Sequence, residues 1–260
     1  MMIYEEHMLN VVFSKIKFLG KHILTETCAT CKQLRGLGAK ESGLYIVYPE
    51  SHPDGMTVFC DMETDGGGWT LMWSNIRGRN GRATTRMNWA DATGAETFFN
   101  GTPSNDKHSF EVYSGLSLWN EFMGRQDGGE VRYEWRHPTS REILQDAKMK
   151  IQRFNAGDNF TLRISDITHL VGTVAPGLLT YHNNRQFSAY GADHDDYRYP
   201  CSNYYSYTPW WYSACWSGNI SGGGEYGGNG YGNGAFWRSS TTNGSFSDGD
   251  SYGDGWLWIR

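Results

Sequence analysis

The fold is decided by Val58-Phe59-Cys60-Asp61-Met62 and, shortly after it, by Asp65-Gly66-Gly67-Gly68-Trp69-Thr70. The first stretch is apolar and aromatic, and the second leads into another such run, Leu71-Met72-Trp73. Two apolar runs with a glycine-rich break between them are typical of β-strands joined by a turn. A further run, Leu44-Tyr45-Ile46-Val47-Tyr48, lies upstream and ends at Pro49. Residues 31–75 are therefore predicted to form short strands and turns.

The middle of the chain mixes helical and strand patterns, while residues 76–105 have the composition of a polar loop. Regular structure is predicted at four places: a helix over residues 114–123 with Ser114 as its N-cap, and strands over residues 131–136, 147–154 and 160–164. The last two strands are expected to form an antiparallel hairpin around the turn residues Asn155-Ala156-Gly157-Asp158. The expected fold class is α+β, with short antiparallel sheets and few helices.

The C-terminal region is rich in glycine and aromatic residues. Residues 191–255 show almost no regular pattern, and such compositions are common in disordered segments. Trp210, Trp211 and Trp237 argue against disorder, because disordered segments seldom carry large aromatic side chains. We therefore expect a large ordered loop region, which Trp256-Leu257-Trp258-Ile259 closes with a strand.

Composition and charge limit the class of protein. The 260 residues are enough for one sizeable domain, and 11 Trp, 16 Tyr and 33 Gly favour a loop-rich fold with aromatic surfaces. The net charge of −5 and the lack of a basic run in the sequence give no electrostatic basis for binding nucleic acid. No apolar stretch reaches the roughly 18 residues that a membrane span needs. The lysines within residues 8–24 and the preceding Glu5 and Glu6 do not form a clear secretion signal.

Residues 1–27 differ from the rest of the sequence. Leu9, Val12, Ile16, Leu19 and Ile23 are spaced by 3, 4, 3 and 4 residues, as in the apolar seam of a coiled coil. This pattern predicts an N-terminal helix, which either oligomerises the protein as a short coiled coil or packs on its own domain. The predicted organisation is thus a helix over residues 1–27 and one domain over residues 28–260.

The five cysteines are Cys28, Cys31, Cys60, Cys201 and Cys215. A zinc or redox role for the first two lacks both a second close pair of ligands and a βαβ context. Disulfides are therefore favoured, and they imply an oxidising, extracellular compartment. Four paired cysteines permit three connectivities, so the residues alone leave the pairing open.

Taken together, several motifs resemble the fibrinogen-related domain of fibrinogen, ficolins, tachylectins and angiopoietins. The resemblance runs from about residue 31 to the end of the sequence and begins with the two stretches quoted first. The other matching motifs are Cys31-Lys32-Gln33-Leu34, Ser42-Gly43-Leu44-Tyr45, Tyr181-His182-Asn183-Asn184-Arg185-Gln186-Phe187-Ser188, Trp210-Trp211-Tyr212-Ser213-Ala214-Cys215 and Trp256-Leu257-Trp258-Ile259-Arg260. Residues 76–105 and the glycine-rich tail depart from the vertebrate pattern and are closer to divergent invertebrate members or to intelectin-type lectins.

The resemblance implies a fibrinogen C-terminal-like fold, secretion, and the disulfides Cys31–Cys60 and Cys201–Cys215. Cys28 is left outside both pairs, and its expected role is an interchain disulfide. Together with the N-terminal segment it would link copies of the protein into a homo-oligomer.

The resemblance also implies a calcium site after Ser188. Its ligands would be the side chains of Asp193 and Asp195 and the backbone carbonyls of Tyr197 and Tyr199. Calcium takes about six to eight oxygen ligands, and carboxylates two residues apart in a loop can share one ion. The alternative is an acidic cluster in a solvated turn. A second acidic group, Asp248, Asp250 and Asp254, is interpreted as a plain turn, although together with Glu225 it would be the better candidate in an intelectin-like protein.

A ligand pocket beside this loop is implied for ficolin- and tachylectin-like members, which hold an acetyl group. The residues carried over are Tyr205, Ala214, Cys215, Trp216, Tyr231 and Gly232, with a cis peptide expected between Ala214 and Cys215. Trp216 stands where many acetyl-binding members have His, and Gly232 where Ala is common. The alternative for each aromatic residue is packing of the loops.

No enzyme motif competes with these assignments in the sequence, and Glu134 has no evident partner for a carboxylate pair. His137, His169 and His182 are interpreted as structural. Glycosylation sequons begin at Asn159, Asn219 and Asn243, and the resemblance implies that Asn219 is buried.

The predicted function is calcium-dependent binding of carbohydrate, such as acetylated or microbial glycans, in innate recognition or adhesion. The alternative is a protein-binding or structural extracellular module, in which calcium stabilises the fold.

Overall fold

The computed structural model describes residues 17–19, 22–24, 27–76, 87–124, 127–137, 140–172, 177–205, 207–215, 218–220, 235–237 and 252–260. The strands are β1 Lys17–Leu19, β2 His22–Leu24, β3 Gly43–Val47, β4 Met56–Asp61, β5 Trp69–Asn75, β6 Thr97–Asn100, β7 Glu111–Ser114, β8 Gly128–Arg136, β9 Ile143–Gln152, β10 Ile164–Val171, β11 Gly218–Asn219, β12 Ala235–Trp237 and β13 Tyr252–Ile259. The helices are α1 Cys31–Gly36, α2 Trp89–Thr93, α3 Leu116–Phe122, α4 Gly177–Thr180 and α5 Cys201–Tyr204. Within these ranges no helix has the length and apolar character to cross a bilayer. The predicted α+β class is confirmed.

The main sheet is antiparallel and is built around the C-terminal strand. Its strands follow the order β10-β9-β8-β13-β5-β4-β3, and β6, β7, β11 and β12 extend it off this path. In the centre, Leu257 of β13 lies opposite Tyr133 of β8 and Trp73 of β5. The strand predicted at residues 256–259 is therefore confirmed, although it begins earlier, at Tyr252.

The stretch that decides the fold forms β4, β5 and the turn between them, as predicted. Cys60 pairs with Thr70, and Asp61 pairs with Trp69. At Gly67 the φ angle is 75°, and a Cβ atom there would lie 2.1 Å from the backbone oxygen of Met62. A residue with a side chain does not fit this approach, which explains why the turn needs glycine.

Tryptophan side chains fill the core between the sheet and the C-terminal loops. Trp73, Trp210 and Trp211 are almost completely buried. The Trp73 ring stacks on the Trp211 ring with centroids 5.4 Å apart, and it lies 5.7 Å from the Trp210 ring. Aromatic side chains bury much apolar area in such contacts. Packing therefore orders this part of the aromatic-rich region, as the sequence predicted.

A buried ionic cluster lies on the sheet around Arg132 of β8. Its guanidinium group donates hydrogen bonds to Asp61 at 2.8 Å, Asp146 at 2.9 Å and Glu134 at 3.1 Å. Glu134 also accepts from the ammonium group of Lys107 at 2.6 Å. Charges in a protein interior are tolerated when they are paired and hydrogen-bonded. Glu134 thus has a carboxylate neighbour, Asp146, but the two are joined through Arg132 inside the fold.

Residues 17–19 and 22–24 do not form the predicted helix. They form β1 and β2, which pair in the antiparallel sense with Phe18 opposite Ile23. The sequence places Gly20 between the two strands, and glycine disfavours a continuous helix. Residues 1–16, which carry the rest of the apolar seam, lie outside the described residues, so the coiled coil and oligomerisation remain predictions.

Three other local predictions are wrong. Residues 76–105 contain α2 and β6 where a polar loop was expected. Ser114 lies in β7 opposite Thr97, and Gly115 is the N-cap of α3. The second hairpin strand begins at Ile164, because Phe160 has a φ of 52° and still belongs to the turn.

Candidate functional site

The acidic loop, residues 193–199, begins where the backbone is anchored to the tryptophan core. Ser188 and Trp210 exchange two backbone hydrogen bonds of 2.9 Å. The backbone then turns at Gly191, whose φ of 81° suits glycine. The Ser188 hydroxyl also accepts a hydrogen bond from the backbone N–H of His194 at 2.9 Å. A tight turn at Gly191 thus directly precedes the acidic loop.

Within this loop, the backbone folds around the carboxylate of Asp195. Its Oδ1 accepts the N–H of Tyr197 at 2.9 Å, and its Oδ2 accepts the N–H of Cys201 at 2.8 Å. The Asp193 carboxylate accepts the N–H of Asp195 at 3.3 Å. These bonds hold the two predicted carboxylate ligands close together and tie them to the start of α5.

The carboxylates of Asp193 and Asp195 repel each other. Burial raises the pKa of Asp195 to about 6, hydrogen bonds from Cys201 and Tyr197 oppose the rise, and the Asp193 carboxylate adds to it. Asp196 does not join them, because it pairs with Arg185 and accepts a hydrogen bond from Ser213 at 3.2 Å. A cation between Asp193 and Asp195 would relieve the repulsion.

The donor set fits a calcium ion. Within the part of the sequence that is described, the carbonyl oxygens of Tyr197 and Tyr199 accept no hydrogen bond. No cluster of three or more His, Cys, Asp or Glu side chains is placed to hold a metal among those residues. A site here would therefore combine two carboxylates with backbone carbonyls and water, which are the hard oxygen ligands that calcium takes. This is the predicted set, and calcium binding stays a proposal.

Exposed and half-buried tyrosines lie in the acidic loop and in the segments on either side of it. We call this group the tyrosine surface and define it as Tyr190, Tyr197, Tyr199, Tyr204 and Tyr207. Tyr190, Tyr197 and Tyr199 are 49%, 42% and 46% exposed. Ring contacts link Tyr190 to Tyr207 at 5.0 Å, Tyr197 to Tyr199 at 6.3 Å, and Tyr199 to Tyr204 at 6.4 Å.

This surface was not predicted from the sequence. Tyr197 and Tyr199 were considered for their carbonyl oxygens alone. The sequence signal for the tyrosine surface was the presence of six tyrosines within residues 190–207, because the Tyr side chain combines a large contact area with a polar tip.

The predicted acetyl pocket is described only in part. Tyr205 is half-buried and stacks on the fully buried Tyr212 with ring centroids 6.2 Å apart, while Ala214 is exposed and Cys215 half-buried. The expected cis peptide between Ala214 and Cys215 is wrong, because no cis bond occurs in the described ranges; Cys215 instead has a φ of 65°. Trp216, Tyr231 and Gly232 lie outside the described residues.

Both predicted disulfides are confirmed. Cys31 is bonded to Cys60 and Cys201 to Cys215, with Cα atoms 5.6 and 5.2 Å apart. Cys28 belongs to neither pair and is buried, with 4% of its surface exposed. This burial counts against the interchain role, because a sulfur of a second copy does not reach a buried thiol unless the local structure opens.

The remaining candidates are structural or lie outside the described residues. Asp254 is buried, and its carboxylate lies 3.8 Å from the His108 ring. His182 is also buried, and its Nδ1 lies 2.6 Å from the carbonyl oxygen of Trp211. Asp248, Asp250 and Glu225 lie outside the described residues.

Comparison with known proteins agrees with this architecture. Residues 27–247 match the family model of the fibrinogen beta and gamma chains, C-terminal globular domain. The protein is 28% identical over 183 residues to fibrinogen-like protein A of Apostichopus parvimensis, covering 70% of this sequence and 58% of that protein. It is 27% identical over 196 residues to fibrinogen C domain-containing protein 1 of Xenopus tropicalis, covering 74% of this sequence and 39% of that protein.

A solved structure has the same fold. The fibrinogen-like globe domain of human ANGPTL2 superposes with a TM-score of 0.66 at 24% identity, covering 90% of this protein and 98% of that domain. The match at the level of the family model spans most of the sequence, including both disulfides and the acidic loop. This protein belongs to the family defined by the C-terminal globular domain of the fibrinogen beta and gamma chains.

Proposed function

We propose that this protein is a non-catalytic extracellular recognition domain that binds a protein ligand through the tyrosine surface. The observation that carries the proposal is the exposure of Tyr190, Tyr197 and Tyr199 in a protein whose described tryptophans are largely buried. Fibrinogen-like relatives support an extracellular recognition role. Because the match spans 58% and 39% of the first two relatives, their whole activity is not transferred here.

The composition of the surface suits a protein partner. Tyr and Arg are enriched at protein interfaces, and Tyr supplies a large contact area at a small loss of side-chain freedom. The guanidinium group of Arg198 lies 4.7 Å from the Tyr199 ring centroid, so this surface carries a cation as well as rings. Asp193 and Asp195 border it on the same loop and add negative charge.

Calcium, when bound, would supply the positive charge that holds the loop carboxylates together. Asp193 and Asp195 would bind it with their side chains, and Tyr197 and Tyr199 with their carbonyls. Because the tyrosines that would contribute carbonyls also carry exposed rings, ordering of the loop would fix the positions of those rings. Recognition is therefore expected to depend on calcium.

The test measures binding of the protein to an array on which identified secreted and cell-surface protein domains, and identified glycans, are immobilised. The wild-type protein, a Tyr190→Ser/Tyr197→Ser/Tyr199→Ser variant and a matched control, Ile167→Ser/Val171→Ser, are compared in calcium. Ile167 and Val171 are each 39% exposed on β10, so the control removes comparable exposed apolar groups. We expect binding to a defined protein by the wild type and the control, and a roughly tenfold or greater loss in the tyrosine variant.

Carbohydrate binding is the second candidate function. It is favoured by the half-buried ring of Tyr205, which stacks on Tyr212, since aromatic rings pack against the apolar face of sugars. Acetylated or microbial glycans remain the ligand class for this alternative. Binding confined to glycans, unchanged in the tyrosine variant and abolished by a chelator, would replace the protein-binding proposal with this one.

A further inference from the structure

We propose that Asn159 carries an N-linked oligosaccharide. The sequence has sequons at Asn159-Phe160-Thr161, Asn219-Ile220-Ser221 and Asn243-Gly244-Ser245, and short matches of this kind are weak evidence by themselves. In the structure, Asn159 and Asn219 differ in their burial and in the hydrogen-bond partners of their side-chain amides. Asn243 lies outside the described residues.

Asn219 is unsuited to a glycan. It is 1% exposed, and its Nδ2 donates to the hydroxyl of Tyr212 at 3.2 Å. Tyr212 is itself completely buried and also bonds Thr208. A sugar on Asn219 would have to be placed inside the core, so this sequon is a structural asparagine.

Asn159 has a different environment. It is half-buried and follows the short 3-10 turn Ala156–Asp158, near which residues 155–157 are exposed, and it has φ 55° and ψ 42°. This left-handed conformation is one that asparagine tolerates better than most residues. Its Nδ2 donates to Oε1 of the exposed Gln186 at 3.3 Å, so a glycan would displace a surface contact and leave no buried group without a partner.

The rest of the sequon indicates when transfer would occur. In the folded protein the Thr161 hydroxyl donates to the Asp158 carbonyl at 2.6 Å, and Phe160 is buried. The sequon would therefore be used before this turn closes. The bond formed joins Asn159 Nδ2 to the anomeric carbon of the first sugar. The bond broken joins that carbon to a lipid diphosphate, which leaves as the amide nitrogen loses one proton.

The position places the glycan next to the acidic loop. The backbone oxygen of Asn159 accepts the N–H of Phe187 at 2.9 Å, and the preceding Arg185 pairs with Asp196. An oligosaccharide here would cover the side of the loop on which Arg185 lies. Glycosylation of Asn159 rests on the extracellular part of the proposed function and is independent of what the tyrosine surface binds.

The test is peptide mapping of the full-length protein, secreted from a eukaryotic cell with an added secretion leader. Digestion with peptide N-glycosidase in heavy-oxygen water marks each formerly glycosylated asparagine in tandem mass spectra. We expect the heavy-oxygen mark at Asn159 and none at Asn219. On a gel, the mobility shift that glycosidase treatment causes through the Asn159 glycan should be absent in Asn159→Gln. The peptide with Asn243 is resolved separately, so a glycan there cannot be mistaken for one at Asn159.

An unmodified Asn159 peptide in secreted, folded wild-type protein would overturn the proposal. This readout needs no variant, so misfolding of Asn159→Gln cannot obscure it. Because the leader enforces entry into the secretory pathway, a negative result would reject this site and leave the recognition proposal standing.

Discussion

At the scale of single residues, one guanidinium group serves three buried carboxylates. Burial raises the pKa of Asp146 to about 6; the positive charge of Arg132 opposes this rise, and the negative charge of Glu134 adds to it. Burial would also raise the pKa of Asp61, but Arg132 and hydrogen bonds from Thr64 lower it to about 2. The two aspartates should therefore affect stability in opposite directions and in separate pH ranges.

We predict that Asp146 lowers the stability of the fold as the pH rises from about 4 to about 6. Its pKa is higher in the folded protein than the value of about 3.9 in an unfolded polypeptide, so the folded state holds this proton more firmly. The bound proton stabilises the folded state fully below about pH 4, and this stabilisation is lost as the pH rises to about 6. It amounts to on the order of 3 kcal/mol of unfolding free energy. Urea unfolding at several pH values should show a fall in stability that is smaller by about this amount in Asp146→Asn than in the wild type, while Asp195, whose pKa is also raised, contributes to both.

Asp166→Asn is the matched control for this experiment, because Asp166 is an exposed carboxylate on β10. It should retain the wild-type pH dependence. If Asp146→Asn keeps the same fall in stability between about pH 4 and 6, the proton is held elsewhere and the assignment is wrong.

At the scale of elements, the turn between β4 and β5 depends on close backbone contact. The sequence predicted the turn from three consecutive glycines, but it did not show which of them is irreplaceable. The structure identifies Gly67, because an added Cβ would overlap the oxygen of Met62. Gly124 also has a positive φ, 74°, yet no atom lies within 4 Å of an added Cβ there.

We predict that Gly67→Ala lowers the free energy of unfolding by more than about 3 kcal/mol, since it adds overlap to backbone strain. Gly124→Ala should cost about 1–2 kcal/mol, the strain of a left-handed alanine alone. Urea denaturation of the two variants under identical conditions measures the difference. Equal losses would show that the turn relaxes around the added methyl group.

At the scale of the whole molecule, the sequence predicted features that depend on local pattern or on family motifs. The strands around Cys60 and Trp69 follow from apolar runs, and the two disulfides follow from the resemblance. The pairing of β1 with β2 was missed, because a heptad-like spacing of apolar residues does not by itself distinguish a helix from two short paired strands. The tyrosine surface was missed because contacts such as Tyr190–Tyr207 join separate loop segments.

The same long-range packing determines what the site can do. Trp210 and Trp211 are buried, while Tyr190, Tyr197 and Tyr199 are exposed, and composition alone does not distinguish these outcomes. The acidic loop carries Tyr197 and Tyr199 itself, and it is tied to α5 by the hydrogen bond that the backbone N–H of Cys201 donates to Asp195. An ion bound there would connect the rigid core to the exposed rings.

The most direct test of a calcium-ordered recognition surface is a calorimetric titration of chelator-treated protein with calcium. The wild type and the Asp166→Asn control should bind one calcium ion per molecule, and Asp193→Asn/Asp195→Asn should bind it roughly tenfold or more weakly, because two carboxylate ligands are lost. Absence of binding to the wild type, or equal binding to the double variant, would contradict a calcium-ordered recognition surface at the acidic loop.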